Sequence, residues 1–349
     1  MKKRTLVSMV TVAMVTSTLV FGCGARGSES SSENAGNAAE GVSEGVTENV
    51  PEDAEENVPE ETAGNTDKKL SIGFSNWSRS FEFYVDMEAG MQEKADELGV
   101  EVIMQDANGD LTEQTKQLEN FISRGVDGII ICPIDSEASG SEVKMVNDAG
   151  IPIATVDIEC TGGGEILTHI ASDNYLGGQL AAEYLGDALN GKGQVAVISN
   201  PTITPLIERE KGFTETIAEK YPDIEIVSNQ SGESTREKGL EVAENMLEKY
   251  PELAGIFSTN DMMGLGAVQA IQAKSMDTIV VGFDATEEAC NAMKEGGPMK
   301  ASVAQQPKEL GAQVLEAIVK AINGEDVDAE VMVEVKTISV DNVDEYTAK

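Results

Sequence analysis

From Leu70 onward the chain alternates short apolar runs with longer amphipathic segments, and this alternation restricts the fold more than any other feature. The runs lie at residues 71–74, 100–104, 128–131, 152–156, 194–199, 224–227, 255–258, 278–283 and 301–304. Each has the length of a strand and is largely apolar, as a strand covered on both faces must be. Between them, segments such as 88–98, 112–124, 175–190 and 310–322 carry apolar residues at helical spacing. Repeated βαβ units of this kind build parallel sheets with helices on both faces. About ten strands suit two sheets better than one, and 349 residues is the length of about two ordinary domains. The expectation is an α/β protein of two doubly wound parallel-sheet lobes.

Charge then narrows the function. Lys and Arg number 25 against 62 Asp and Glu, a formal net charge of −37. Affinity for nucleic acid comes from cationic side chains displacing counterions, so nucleic acid is excluded as a partner. The single His leaves little for His-based metal sites, Ser-His-Asp hydrolysis or Cys-His catalysis. Carboxylate chemistry stays open, with Asp157 and Asp284 as a conceivable acid/base pair. No calcium-loop pattern occurs, and neither a metal nor a cofactor is expected.

The amino terminus reads as an address. Lys2, Lys3 and Arg4 precede an apolar run over residues 6–22 broken only by Ser and Thr, the layout of a secretory signal. The run closes on Leu19-Val20-Phe21-Gly22-Cys23, which resembles a bacterial lipobox despite the unusual Phe21. That resemblance implies a signal peptide at residues 1–22 and lipidation of Cys23; an uncleaved anchor is the alternative. Either places the rest of the chain outside the cytoplasmic membrane. Residues 23–68 shift to Glu, Ser, Gly, Asn and Pro with no aromatic residue, too little apolar surface to fold. They read as an acidic disordered tether or as a tolerated tail.

In doubly wound sheets, ligands sit outside the carboxyl ends of the strands. Asp157, Asn260, Asp261, Asp284 and Gln305 all fall there. Any one of them serves equally well as a turn or helix cap. Their recurrence points to a ligand, and carboxylates with amides suit a neutral polyhydroxylated one. Phe81, Phe83 and Tyr84 cluster after the first strand in a chain only 4% aromatic, and a ring can cover the C–H face of a sugar. Phe81 is assigned to the core.

Read in order, these stretches resemble the periplasmic ribose-binding proteins of the type I solute-binding family. The match runs through Arg124-Gly125-Val126-Asp127-Gly128, Ile151-Pro152-Ile153, His169-Ile170-Ala171-Ser172-Asp173-Asn174, Arg209-Glu210-Lys211-Gly212-Phe213, Val280-Val281-Gly282-Phe283-Asp284 and Ala304-Gln305-Gln306-Pro307. It covers residues 70–340 in register, and the order and spacing of the motifs are specific where each alone is weak. The resemblance implies one lobe from residues 69–172 with 305–333 and another from 173–304 with 334–349. Three hinge crossings near Ser172, Gln305 and Glu334 would join them, with ligand in the cleft. It places Asp157, Arg209, Asn260, Asp284 and Gln305 on the ligand, Phe83 and Tyr84 as stacking rings, and Ser75 beside them.

Three positions depart from the ribose pattern. Ile158 stands for an Arg, Cys132 for an Asn and Ser234 for an aromatic. Each lost partner costs a sugar hydroxyl roughly 1–3 kcal/mol. Cys132 and Ile158 are expected to make that corner of the site apolar, suiting a deoxy, methylated or linear ligand; Trp77 or Arg236 could fill the vacancy. Residues 162–164, three glycines, read as a flexible connection and not a phosphate loop. Cys132, Cys160 and Cys290 read as free buried thiols, with a disulfide left open, and His169 as structural.

The implied function is a lipid-anchored, extracytoplasmic binding protein that captures a small neutral sugar or polyol and delivers it to the transmembrane subunits of an ABC permease. It would act as a monomer without catalysis. A sensory binding protein presenting a sugar or autoinducer-like ligand to a receptor kinase or chemoreceptor is the alternative. LacI-type repressors share the fold, but a signal peptide and acidic tether occupy the place of their basic helix-turn-helix.

Overall fold

The computed structural model describes residues 69–348. The expected signal peptide, Cys23 and the tether lie outside the described residues. Five strands come first: β1 (Ser71–Asn76), β2 (Glu101–Asp106), β3 (Gly128–Ile131), β4 (Ile153–Val156) and β5 (His169–Ser172). Five more follow: β6 (Lys192–Ser199), β7 (Asp223–Ser231), β8 (Leu253–Ser258), β9 (Ile279–Asp284) and β10 (Met299–Ala304). Two short ones complete the set, β11 (Glu330–Val333) and β12 (Lys336–Ser339). They form two six-stranded sheets ordered β11-β5-β4-β3-β1-β2 and β12-β10-β9-β8-β6-β7. The first is parallel throughout, whereas β12 runs antiparallel to β10, a departure from the purely parallel expectation.

The helices are α1 (Glu82–Leu98), α2 (Leu111–Arg124), α3 (Gly140–Asp148), α4 (Asn174–Ala188) and α5 (Thr204–Lys220). They continue as α6 (Arg236–Lys249), α7 (Asp261–Lys274), α8 (Glu287–Lys294), α9 (Pro307–Ile322) and α10 (Val343–Thr347). Local chemistry sets their ends. Asp110 caps α2 by accepting from the amides of Thr112 and Glu113, and Gly125 ends it in the left-handed region at φ 65°. The strands are apolar because helices cover both faces; Ile129, Ile130 and Ile131 are wholly buried.

The chain passes between the sheets three times: from β5 into α4, from β10 into α9, and from β11 into β12. Each helix that follows a crossing is pressed against a partner. A Cβ on Gly178 of α4 would stand 2.0 Å from the Arg209 carbonyl oxygen, and one on Gly212 of α5 would stand 2.1 Å from the Tyr175 oxygen. The same reciprocal arrangement joins α1 to α9, through Gly90 against Lys308 and Gly311 against Met87. The glycine connection at 162–164 is exposed; a Cβ on Gly162 would lie 1.8 Å from the Glu137 oxygen, whereas one on Gly163 would meet open space.

In an unobstructed helix, Gly→Ala stabilises by about 0.5–1 kcal/mol. Against the Arg209 backbone the sign reverses: Gly178→Ala is expected to lower unfolding free energy by about 1–3 kcal/mol through overpacking. Denaturant unfolding measures it, and a stabilised variant would contradict this packing.

Candidate functional site

The carboxyl ends of β4, β8, β9 and β10 converge on a cleft between the two sheets, about 490 Å³ including the space open to solvent. Its polar lining is Asp157, Arg209, Ser234, Asn260, Asp284 and Gln305, and its rings are Trp77, Phe81, Phe83 and Tyr84. Ile203, Pro205 and Leu206 complete it.

Arg209 projects from α5 and is only 3% exposed. Its Nε donates to Asn174 Oδ1 at 2.8 Å and its Nη1 to the Thr259 carbonyl at 2.9 Å. The guanidinium lies 3.7 Å above the Phe283 ring, and Nη1 is 3.6 Å from Asp284 Oδ1. Gln305 links two regions: its Oε1 accepts from Ser172 Oγ at 2.7 Å, and its Nε2 donates to Asp284 Oδ1 at 2.7 Å. Asn260 is both cap and lining residue, since its Oδ1 accepts from the Met263 amide that opens α7 while its Nδ2 reaches the Ser234 carbonyl at 3.4 Å.

Both acids sit on unusual backbone. Asp157 follows β4 at φ 65°, and Asp284 ends β9 at φ 113°, followed by Ala285 at φ 50°. Such conformations cost about 1–3 kcal/mol each and persist where their surroundings hold them. Asp261 supplies that hold after β9. Its wholly buried carboxylate accepts from Thr286 N at 2.9 Å, Thr286 Oγ1 at 3.1 Å and Ser302 Oγ at 2.7 Å. Ser302 Oγ in turn accepts from Ala285 N at 2.9 Å.

Burial dominates the electrostatics. It pushes the Asp157 carboxyl up to about 6, against the opposing Arg209 charge and the Tyr84 hydrogen bond. Burial raises Asp284 as well, with Arg209 opposing, and burial plus the Asp284 charge holds Asp261 well above the usual carboxylate range. Arg209 is itself lowered by burial and supported by Asp284 and Asp157.

Seven of the eight expected residues, Phe83, Tyr84, Asp157, Arg209, Asn260, Asp284 and Gln305, line this one cleft. Ser75 does not. It is fully buried toward α2, donating to Gln117 Oε1 at 2.7 Å and accepting from Gln114 Nε2 at 3.2 Å. Tyr84 also differs from a plain stacking ring, because its hydroxyl donates to Asp157 Oδ2 at 3.0 Å. Cys132 approaches the same oxygen at 3.8 Å, and neither it nor Ile158 lines the cleft; both are buried, so the apolar corner expected from them is sealed off. The apolar lining comes instead from Trp77, Phe81, Ile203, Pro205 and Leu206. Phe81, expected in the core, is partly buried against the core cluster and also lines the cleft, meeting Trp77 edge-on at 5.4 Å. Arg236 is engaged elsewhere, forked onto Glu288 at 2.6 and 2.5 Å. The remaining singletons are structural: His169 shares a hydrogen bond with Thr155 Oγ1 at 2.9 Å, and burial lowers its imidazole to about 4. Cys132, Cys160 and Cys290 are free buried thiols.

Two residue pairs bridge the rims of the cleft. The Ser136 and Thr204 hydroxyls are hydrogen-bonded, with the Thr204 amide also donating to Ser136 Oγ at 3.4 Å, and Glu82 Oε2 accepts from the Glu287 amide at 3.2 Å.

Known proteins agree with this geometry. Residues 72–326 match the family model of the periplasmic binding protein domain. The chain is 35% identical over 261 residues to the ribose import binding protein RbsB of Bacillus subtilis (strain 168), covering 74% of this chain and 84% of that protein. It is 30% identical over 289 residues to the xylitol-binding protein of Mycolicibacterium smegmatis, covering 81% of each. Among solved structures, an ABC transporter solute-binding protein from Bacillus halodurans C-125 with bound myo-inositol matches at a TM-score of 0.74 and 35% identity, covering 80% of this chain and 98% of that one. With two α/β lobes, three crossings and a polar cleft at the strand ends, the chain belongs to the periplasmic binding protein family.

Proposed function

We propose that this protein captures a small neutral sugar or polyol in the cleft and delivers it to an ABC importer, held at the outer face of the membrane by a lipid on Cys23. The observation that carries this reading is the convergence of Arg209, Asp157, Asp284, Asn260 and Gln305 on one cleft walled by aromatic rings. Fixed donors beside carboxylate acceptors match hydroxyls in both directions, and rings cover C–H faces. The relatives support it: they are named for ribose and xylitol or hold myo-inositol, all small and polyhydroxylated. The contacts Ser136–Thr204 and Glu82–Glu287 support capture by closure, because each joins opposite rims. The protein acts as a binder without turnover, and as a monomer.

Three outcomes test this reading. Calorimetry and thermal unfolding against pentoses, hexoses, polyols and cyclitols should find a ligand that stabilises the fold by about 2.7 kcal/mol at a hundredfold excess over Kd. Asp284→Asn should weaken that ligand by about 10–100-fold. Failure of every sugar and polyol to bind would overturn the proposal.

Loss of a rim contact should act on release. Thr204→Val removes the hydroxyl that meets Ser136, and a hydrogen bond of about 1 kcal/mol corresponds to about fivefold faster dissociation with association little changed. Stopped-flow measurement of both rates checks it.

Asp157 also gives opposite pH trends for binding and stability. As an ionised acceptor it titrates near 6, so ligand affinity should fall as the pH drops through about 6. The ligand-free fold moves the other way. A folded value near 6 lies above the ordinary 3.8, so this contribution to stability is full below 3.8 and lost as the pH rises toward 6. Titrations and melts across this range, with Asp157→Asn flattening both trends, are the measurement.

A further inference from the structure

The two sides of the cleft differ in kind. Arg209, Asn260 and Asp284 belong to the β6–β10 sheet and its helices, and Gln305 follows β10 directly. From the other lobe, Asp157 is the sole charged lining residue. Its Oδ2 already receives the Tyr84 hydroxyl at 3.0 Å and faces the Cys132 thiol at 3.8 Å, leaving Oδ1 for a ligand.

The rings on that side spend their hydrogen-bond donors within the protein. Tyr84 spends its hydroxyl on Asp157. Trp77 Nε1 points to the Ile134 carbonyl at 3.4 Å. Trp77 stacks on Tyr84 with centroids 6.0 Å apart and planes at 18°, and Phe83 meets Tyr84 edge-on at 5.1 Å. The wall is held together by contacts among its own rings, and it presents carbon. Ile203 and Leu206 extend it from across the cleft, within the same contiguous apolar cluster as Tyr84.

A fully hydroxylated sugar placed here satisfies one edge through Arg209, Asn260 and Asp284; on the other edge Asp157 Oδ1 can meet one hydroxyl, and any further hydroxyl is buried against carbon. Such a hydroxyl lowers affinity by about one to two decades. A hydrogen, methyl or methoxyl in its place avoids that loss and gains apolar contact. We infer that the cognate ligand is a sugar or cyclitol of two unlike edges, one hydroxylated toward Arg209 and Asp284 and one deoxygenated or methylated toward Trp77, Phe81, Ile203 and Leu206. This rests on the sugar-binding reading above and specifies its substrate class.

The test is calorimetry on the full-length protein with matched pairs: D-ribose and 5-deoxy-D-ribose, D-galactose and D-fucose, L-galactose and L-fucose, and myo-inositol and its mono-O-methyl ethers. The expected result is at least one pair whose deoxy or methylated member binds about tenfold or more tightly than its parent. Ile203→Thr and, separately, Leu206→Asn should then narrow that ratio, because each gives the wall a polar atom. The wild-type pairs decide the matter even if a variant folds poorly. Parents that bind as tightly as their derivatives in every pair overturn this inference and leave the sugar reading standing. Silence of all pairs and all other sugars overturns both.

Discussion

A single buried charge organises the cleft. Taking a guanidinium out of water costs several kcal/mol unless its donors are met and an opposite charge is near. Arg209 meets that demand with four groups from three places in the sequence: Asn174 at the head of α4, Phe283 and Asp284 at the end of β9, and the Thr259 carbonyl after β8. Each must be in position before the others are satisfied, which makes this half of the site a cooperative unit. The same charge keeps two buried acids usable as acceptors, since it opposes the burial that raises both Asp157 and Asp284.

Much of this was legible in the residues. The strand ends showed where the cleft would lie, because short polar side chains recur after several apolar runs. The central strands were legible since burial on both faces leaves a continuous apolar stretch. The strands that escaped are β5, β11 and β12, each four residues long. β11 sits at a sheet edge with Met332 about half exposed, so its pattern is too broken to stand out. Nothing in four residues marks the direction of β12.

The site was harder to read where a side chain's direction decides its role. Ser75 and Trp77 are two residues apart, yet one turns into a glutamine network under the sheet and the other reaches the cleft. The difference lies in the course of the chain after β1, which spacing does not reveal. Cys132 and Ile158 were correctly seen as apolar but wrongly placed on the ligand, because the Tyr84 hydroxyl takes the carboxylate oxygen beside them. Asn260 was open between cap and cleft lining, and it is both: one position serves the two, and the helix cap orients the amide.

The glycine contacts bear on mechanics. The helix that emerges from each of the first two crossings is seated on a neighbouring helix of the lobe it joins, α4 on α5 and α9 on α1, with carbonyl oxygens where side chains would begin. Helices held this closely leave only short links between strand and helix at these two crossings, Asp173 at one and Gln305 with Gln306 at the other. Gln305 thus lies at a crossing and in the wall of the cleft, bonded to Ser172 at the neighbouring crossing and to Asp284 at the end of β9. Joint and cleft share one side-chain amide.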